Sequence, residues 1–290
     1  MRLATIRVGG TTAAVRVEGG TAVETGFEDV GALLRADGLD RAARADGPRH
    51  DFTTADLAPV VPRPDKIVCV GLNYRGHILE MGRELPEYPT LFAKYPEALI
   101  GAGDEILLPA ESDRVDWEGE LAVVIGRRVR RASAEEAVAA IAGYSVLNDV
   151  TMRDYQYRTT QWFQGKTWEH TTPFGPVLVT PDEMTPGARL TTRLDGEELQ
   201  NTTIDDLVFG PAELVRYIST IVTLQPGDVI ATGTPGGVGH ARKPPRYLRA
   251  GQTLTTSIDG IGELVNPAVA EPAESAQPIE AAEPAEAART

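Results

Sequence analysis

Only one cysteine, Cys69, occurs in 290 residues. That count excludes an internal disulfide and a thiolate metal site. Cys69 sits in the apolar run 66–70 and reads as a small buried hydrophobe. Long apolar runs are missing as well. No stretch approaches the ~18 residues of a membrane-spanning helix, and the first residues alternate as a strand does, unlike the apolar block of a secretion signal. Positive charge is scarce, with 28 Lys and Arg against 42 Asp and Glu, a formal net charge of −14. Phosphate backbones are held by clustered cations, so a nucleic-acid partner is excluded. Residues 271–290 carry five Glu against one Arg, but the rest of the chain is acidic too. The expectation is a soluble, cytoplasmic protein with neither nucleic-acid nor membrane partners.

What is present is a globular composition, 42% hydrophobic, long enough for one large domain and a small one. Residues 1–60 read as a small N-terminal α+β domain. It has strands at 3–8, 13–17 and 21–24 and one helix that buries Val30, Leu33 and Leu34 and stops near Gly38. Pro59, Pro62 and Pro64 mark a linker. Residues 65–267 hold strand patterns at 66–70, 105–108, 120–125, 144–150, 175–180, 190–194, 228–232, 253–258 and 263–265. Asp195-Gly196 and Asp259-Gly260 predict tight hairpins in which both central residues take positive φ. Ser133 with Glu136 predicts a capping box. Pro211 opens a helix whose stripe is Leu214, Val215, Ile218, Ile221 and Val222. Many short strands and few helices predict a mainly β fold with some α, a sheet stack or barrel, and exclude a regular βαβ array. Residues 268–290, rich in Ala, Glu and Pro, bury too little apolar surface to order and read as a disordered tail.

The chemistry concentrates in acidic residues. In Asp116-Trp117-Glu118-Gly119-Glu120, strand geometry sends Glu118 and Glu120 to one face. Like charges held that close are unfavourable unless a cation sits between them. Asp149 ends the apolar strand 144–150, where an unpartnered carboxylate is costly to bury. An all-oxygen set of Glu118, Glu120 and Asp149, with neither Cys nor clustered His, selects a hard cation, Mg²⁺ or Mn²⁺, over Zn²⁺. Alone, Glu-x-Glu also occurs on solvent-facing strands; its company carries the weight.

That company begins with the segment 73–82. It reads as a short helix capped by Asn73 and stopped by Gly82, with His77 and Glu80 on one face. The carboxylate there orients the imidazole and raises its basicity, the arrangement of a general base, although an exposed His-Glu contact has the same spacing. Gly76, Gly82, Pro86 and Pro89 bracket a segment read as a mobile lid. The loop Thr232-Gly-Thr-Pro-Gly-Gly-Val-Gly239 lacks the Gly-Lys-Ser/Thr of a phosphate loop and is not a dinucleotide fingerprint. It reads as a close-approach loop offering backbone N–H groups and Thr234 to a small carboxylate, or as tight-turn geometry alone.

These motifs, taken in order, are Val70-Gly71-Leu72-Asn73-Tyr74-x-x-His77, Trp117-Glu118-Gly119-Glu120-Leu121-Ala122, Asn148-Asp149-Val150-Thr151-x-Arg153-Asp154, Gly165-Lys166 and Thr232-Gly233-Thr234-Pro235-x-Gly237-Val238-Gly239. Together they resemble the fumarylacetoacetate hydrolase family over residues 65–267. The resemblance implies a β-sandwich roll or barrel core and a homodimer. It implies a metal on Glu118, Glu120 and Asp149, with waters or substrate completing the shell, and a catalytic dyad of His77 and Glu80. It also implies Lys166 near a developing enolate, and Arg153, Gln156 and Thr234 lining the pocket of a small-molecule 2-oxo acid. Larger members have an acidic ligand where this chain has Asn73, which points to the short, three-carboxylate branch.

The implied reaction is metal-dependent hydrolysis of the C3–C4 bond of a fumarylpyruvate-like acylpyruvate in aromatic-compound breakdown. The alternatives are oxaloacetate decarboxylation and the isomerisation or decarboxylation of 2-hydroxyhepta-2,4-diene-1,7-dioate. Arg158, Gln161, Trp162 and Gln164 are expected to shape a distal pocket suited to a second carboxylate. A non-catalytic oxo-acid-binding domain is disfavoured, because binding alone requires none of His77, Glu80 and Lys166.

Overall fold

A computed structural model of the chain describes residues 1–80, 82 and 84–272. Residues 273–290, most of the expected tail, lie outside the described residues, as do the side chains of His77 and Glu80. Two open sheets form a mainly β fold. The larger has eleven strands. It runs from Arg49–Asp51 through Thr21–Glu24, Thr11–Glu18 and Arg2–Val8 to Thr172–Val179. It then continues through Ile141–Asn148, Gly119–Ile125, Val229–Ala231 and Ile67–Gly71 to Thr90–Lys94 at the far edge, and the eleventh strand, Leu99–Ile100, pairs with Thr172–Val179 off this path. The five-stranded sheet is ordered Glu197–Thr203, Arg189–Leu194, Thr253–Ile258, Gly262–Ala270 and Ile106–Leu108.

The strand Gly119–Ile125 is buried along its whole length, because both of its faces are covered. Ala122 and Val124 pack with Leu33, Leu34 and Val60. On the other side Leu121 meets Leu190, Ile258 and Leu264 of the smaller sheet. Val123 and Ile125 meet Ala137, Leu214 and Ile218 of two covering helices. Each such side chain contributes roughly 1.5–3 kcal/mol of burial. The first sixty residues join the same sheet through the pairing of Arg2 with Val179. Cys69 is fully buried in this core.

Local signals explain most boundaries. Ser133 and Glu136 form the expected capping box. Asp195 and Gly196 take φ of 52° and 86° between the paired strands ending at Leu194 and starting at Glu197, a tight hairpin. At the second Asp-Gly the expectation fails. Ile258 pairs with Gly262, so the loop has three residues, and the positive φ values fall on Gly260 and Gly262. The helix Pro211–Ile221 buries Leu214, Val215 and Ile218 but leaves Ile221 and Val222 at the surface, because the covered stripe ends one turn early. The first helix, Val30–Arg35, stops near Gly38 as expected, the Gly38 N–H bonding back to Leu33 O, and a separate turn, Leu39–Ala43, follows. The final strand runs on to Ala270, paired with Ile106–Leu108, past the Pro267 boundary read from composition.

One polar clamp fixes the strand that leads toward the site. Asp228 is fully buried and accepts from the Lys66 and Gln225 N–H groups at 3.0 and 2.7 Å, and from Lys66 Nζ at 2.8 Å. Asp228→Ala removes the acceptor and leaves the two N–H groups unpaired. Urea unfolding is expected to show a loss of about 2–3 kcal/mol; a change under ~0.5 kcal/mol, within the range of ordinary surface substitutions, rejects the clamp.

Candidate active site

Antiparallel pairing between Gly119–Ile125 and Ile141–Asn148 sets the site. Gly119 lies opposite Asn148, and Asp149 N–H donates to Glu118 O at 2.8 Å. Asn148 Oδ1 in turn accepts from the Glu118 N–H. Glu118, immediately before one strand, and Glu120 within it therefore meet Asp149, immediately past the end of its neighbour. All three are buried, with one ligand oxygen from each lying within 4.8 Å of the others. The same-face expectation for the two glutamates and the convergence of Asp149 are both met by the geometry.

Such a cluster survives burial only with compensating charge. Lys166, on the short helix Phe163–Lys166, places Nζ 2.7 Å from Glu118 Oε2 and 2.8 Å from Asp149 Oδ2. Lys94, at the end of the edge strand, sets Nζ 2.7 Å from Asp149 Oδ1. Arg153 reaches Glu118 Oε1 at 2.7 Å, Gln156 Oε1 at 2.9 Å and Asp116 Oδ2 at 2.8 Å. Burial would raise Asp149, but the charges and hydrogen bonds of Lys166 and Lys94 hold it below the usual carboxylate value. Burial opposes the charge on Lys166, yet Asp149 and Glu118 hold its pKa above an ordinary lysine's.

Glu120 is different. Among the described residues its one hydrogen bond is from the Gly233 N–H, 2.8 Å from Oε2. Burial first, then Asp149 and Glu118, push its carboxyl well above the ordinary range. Asp116, Glu118 and Asp149 are thus matched by three cations (Lys94, Arg153, Lys166), and ionising Glu120 as well would leave one negative charge in excess, which a bound cation would offset. An all-oxygen, buried, anionic triad is the donor set of a hard divalent cation, so the residues present fit Mg²⁺ or Mn²⁺.

The glycine-rich segment is wired differently from the expectation. Its N–H groups are used by protein carboxylates: Gly233 donates to Glu120, and Gly239 and His240 donate to Asp116 at 2.7 and 2.9 Å. At Gly239 an added Cβ would meet Arg246 O at 1.9 Å, which accounts for glycine there. Thr234 donates to Gly119 O at 3.0 Å and accepts from Gln200 Nε2 at 2.9 Å. Gln200 also receives the Gly119 N–H, so the loop is laced to the carboxylate strand.

Asn73 is not a helix cap. The helix spans Arg75–Glu80, and Asn73 is buried before it, its Nδ2 donating to Phe209 O and Thr232 O while Oδ1 accepts from Phe209 N–H. Backbone groups of Phe209 and Thr232 outcompeted the local capping signal. His77 and Glu80 lie three residues apart on this helix, whose Gly76 N–H is held by Asp206 at 2.9 Å.

A cavity of about 310 Å³ opens onto the cluster, with Glu118, Arg153, Gln156, Lys166 and Thr234 in its wall. Of the four residues expected at its distal side, only Trp162 lines it; Arg158, Gln161 and Gln164 are exposed, and Arg158 lies over the Tyr155 ring. Trp162 packs so close to Gly71 that a Cβ there would sit 2.3 Å from the indole. Larger surface hollows, beside Asp40 and Arg44 (about 560 Å³) and beside Arg7 and Thr12 (about 600 Å³), have no comparable buried cluster. Sequence reasoning missed Lys94, Asp116 as an anchor, Gln200 and His240. No local signal marked Lys94, whose partner Asp149 lies far along the chain.

Comparison with known proteins agrees with this geometry. Residues 66–269 match the model of the fumarylacetoacetate (FAA) hydrolase C-terminal region. The chain is 44% identical over 226 residues to bovine mitochondrial oxaloacetate tautomerase FAHD2A, covering 77% of this chain and 71% of that protein. It is 44% identical over 223 residues to oxaloacetate tautomerase YisK of Bacillus subtilis, covering 75% and 74%. Among solved structures, a fumarylacetoacetate hydrolase from Exiguobacterium antarcticum superposes with a TM-score of 0.84 at 34% identity, covering 93% of this chain and all of that one. The 5-carboxymethyl-2-hydroxymuconate delta-isomerase from Mycobacterium smegmatis gives 0.78 at 33% identity, with the same coverage. A buried acidic triad on this fold, with a family match over most of its length, places the chain among the enzymes of the fumarylacetoacetate hydrolase family.

Proposed function

We propose that the protein catalyses proton transfer at C3 of a small 2-oxo acid, interconverting keto and enol forms, with oxaloacetate among its substrates. The observation that carries this is the buried triad Glu118, Glu120 and Asp149 beside Lys166 and Arg153 at the base of one cavity. The naming of two relatives as oxaloacetate tautomerases supports keto–enol chemistry over the C–C hydrolysis expected from the motifs. Both reactions require the same polarised 2-oxo group; tautomerisation requires no attacking water.

Glu118, Glu120 and Asp149 would hold Mg²⁺ or Mn²⁺, which supplies Lewis acidity toward the oxygens of the 2-oxo acid. The chain's own groups do the rest. Lys166, charged and fixed between Glu118 and Asp149, stabilises negative charge developing on the C2 oxygen. His77, with Glu80 as its partner in the dyad, takes a proton from C3; the C–H electron pair forms the C2=C3 bond, the C2=O pair moves onto oxygen, and that oxygen takes a proton from solvent to give the enol. Arg153, Gln156 and Thr234 bind and orient the substrate. Their mutual hydrogen bonds, and those to Glu118, Asp116 and Gly119, keep these groups in place before substrate arrives.

Two measurements test this. Enol absorbance of oxaloacetate, followed with Mg²⁺-supplied protein, is expected to relax faster than in buffer and to revert on chelation. Glu120→Gln is expected to lower the catalysed rate at least 100-fold with an unchanged circular dichroism spectrum; a rate indifferent to both changes rejects the metal reading. His77→Ala is expected to lose roughly 10²–10⁴-fold in kcat while oxalate binding, read by calorimetry, changes less than threefold. Full activity in that variant would remove the dyad from the mechanism.

A further inference from the structure

Asp149 is held by two lysines that differ in what else they can reach. Lys166 bonds Oδ2 at 2.8 Å and also lies in the cavity wall, open to a substrate. Lys94 bonds Oδ1 at 2.7 Å, takes no part in that wall, and has a fully buried side chain. Its other hydrogen bond is to Val150 O at 3.3 Å, one residue beyond Asp149. Lysine is among the residues least often buried completely, so a buried ammonium spent on one carboxylate asks for a reason.

The backbone around Lys94 is fixed on both sides. Thr90–Lys94 pairs with Ile67–Gly71, and Lys94 closes the strand opposite Ile67. Immediately after it, the Tyr95 N–H donates to Thr167 Oγ1 at 2.8 Å, next in sequence to Lys166. Asp149 has less to define its side chain. Its backbone is set, with the N–H bonded to Glu118 O and its carbonyl accepting from Thr151 Oγ1 at 2.8 Å. The terminal torsion of an aspartate is nevertheless broad and nearly two-fold, so its two oxygens exchange places easily. Lys94 removes that freedom. With Oδ1 committed, Oδ2 is the oxygen set beside Glu118 Oε2, and Lys166 Nζ bonds them both. One oxygen from each carboxylate suits Mg²⁺ or Mn²⁺, small ions of strict octahedral preference.

We propose that Lys94 is a positioning residue of the metal site, which holds Oδ1 and so fixes Asp149 as a one-oxygen ligand through Oδ2. It acts through Asp149 and touches neither cation nor substrate. This role rests on the reading of Glu118, Glu120 and Asp149 as the cation's ligands. A plain counter-ion has the opposite signature. If Lys94 only neutralised a buried acid, its charge would repel a bound cation, and removing it would tighten metal binding. Loss of an orienting partner loosens binding instead, typically by about 10–100-fold.

Calorimetry of the full chain with Mn²⁺ reads that sign. Lys94→Met is expected to bind Mn²⁺ about 10–100-fold more weakly than the wild type, and Lys94→Gln, which keeps an uncharged donor for Oδ1, to recover part of the loss. Asp228→Ala is the control for general loosening of the fold: its carbonyl accepts the Ile125 N–H, at the other end of the strand from Glu118, and its Mn²⁺ affinity is expected to stay within threefold of the wild type. Unchanged or tighter Mn²⁺ binding by Lys94→Met overturns the role of Lys94 and leaves the metal reading standing. A wild type that binds no Mn²⁺ removes both. Should Lys94→Met fail to fold, a crystal structure of the wild type with Mn²⁺ decides. It is expected to show Asp149 bound through Oδ2 alone with Lys94 still on Oδ1, and a two-oxygen Asp149, or a Lys94 turned away from it, overturns the proposal.

Discussion

The structure depends on an imbalance of buried charge. Isolated carboxylates in a protein interior cost several kcal/mol each, yet the core strands deliver four of them to one place. Lys94, Arg153 and Lys166 come from three separate segments to meet them, each bonded to at least one carboxylate oxygen. Breaking any of these pairs would leave an uncompensated charge, so the elements carrying them are bound to the site as firmly as to the hydrophobic core. The fourth carboxyl, Glu120, lies in no ion pair among the described residues and accepts the Gly233 N–H, so burial favours its protonated form. Stability and chemistry are therefore opposed at that residue.

Asp116 performs the complementary task. It accepts from the N–H groups of Trp117, Gly239 and His240 and from Arg153 Nε. One fully buried carboxylate thus ties the glycine-rich loop to the arginine that braces Glu118. The loop's glycines follow from this closeness: at Gly237 a Cβ would stand 2.1 Å from Leu199 O. The loop is shaped by protein contacts on its outer side, which frees the inner side, with Thr234 and Val238, to face the cavity.

Much of this was legible in the sequence, for identifiable reasons. The triad could be read because strand periodicity is local: Glu118 and Glu120 are two residues apart, and Asp149 ends a clear apolar run. The mainly β fold could be read because turn chemistry and alternation recur at short range. Lys94 was invisible because its partner is 55 residues away, and nothing in Phe92-Ala93-Lys94 distinguishes a buried ammonium from one that reaches solvent. Asn73 misled because a capping residue and a buried amide look identical in sequence; Phe209 and Thr232, which decide between them, are distant in the chain. Arg158 misled because composition cannot tell a cavity wall from the outer face of the same segment, where the guanidinium found an aromatic ring.

The burial of Asn73 has a mechanical consequence. With its amide gripped on three sides and Val208 N–H bonded to its own carbonyl at 2.8 Å, the backbone at this point is a fixed fulcrum. The helix Arg75–Glu80, which carries His77, begins two residues later. The helix therefore springs from an anchored root, and its first turn is set by the same three distant backbone groups that grip the amide.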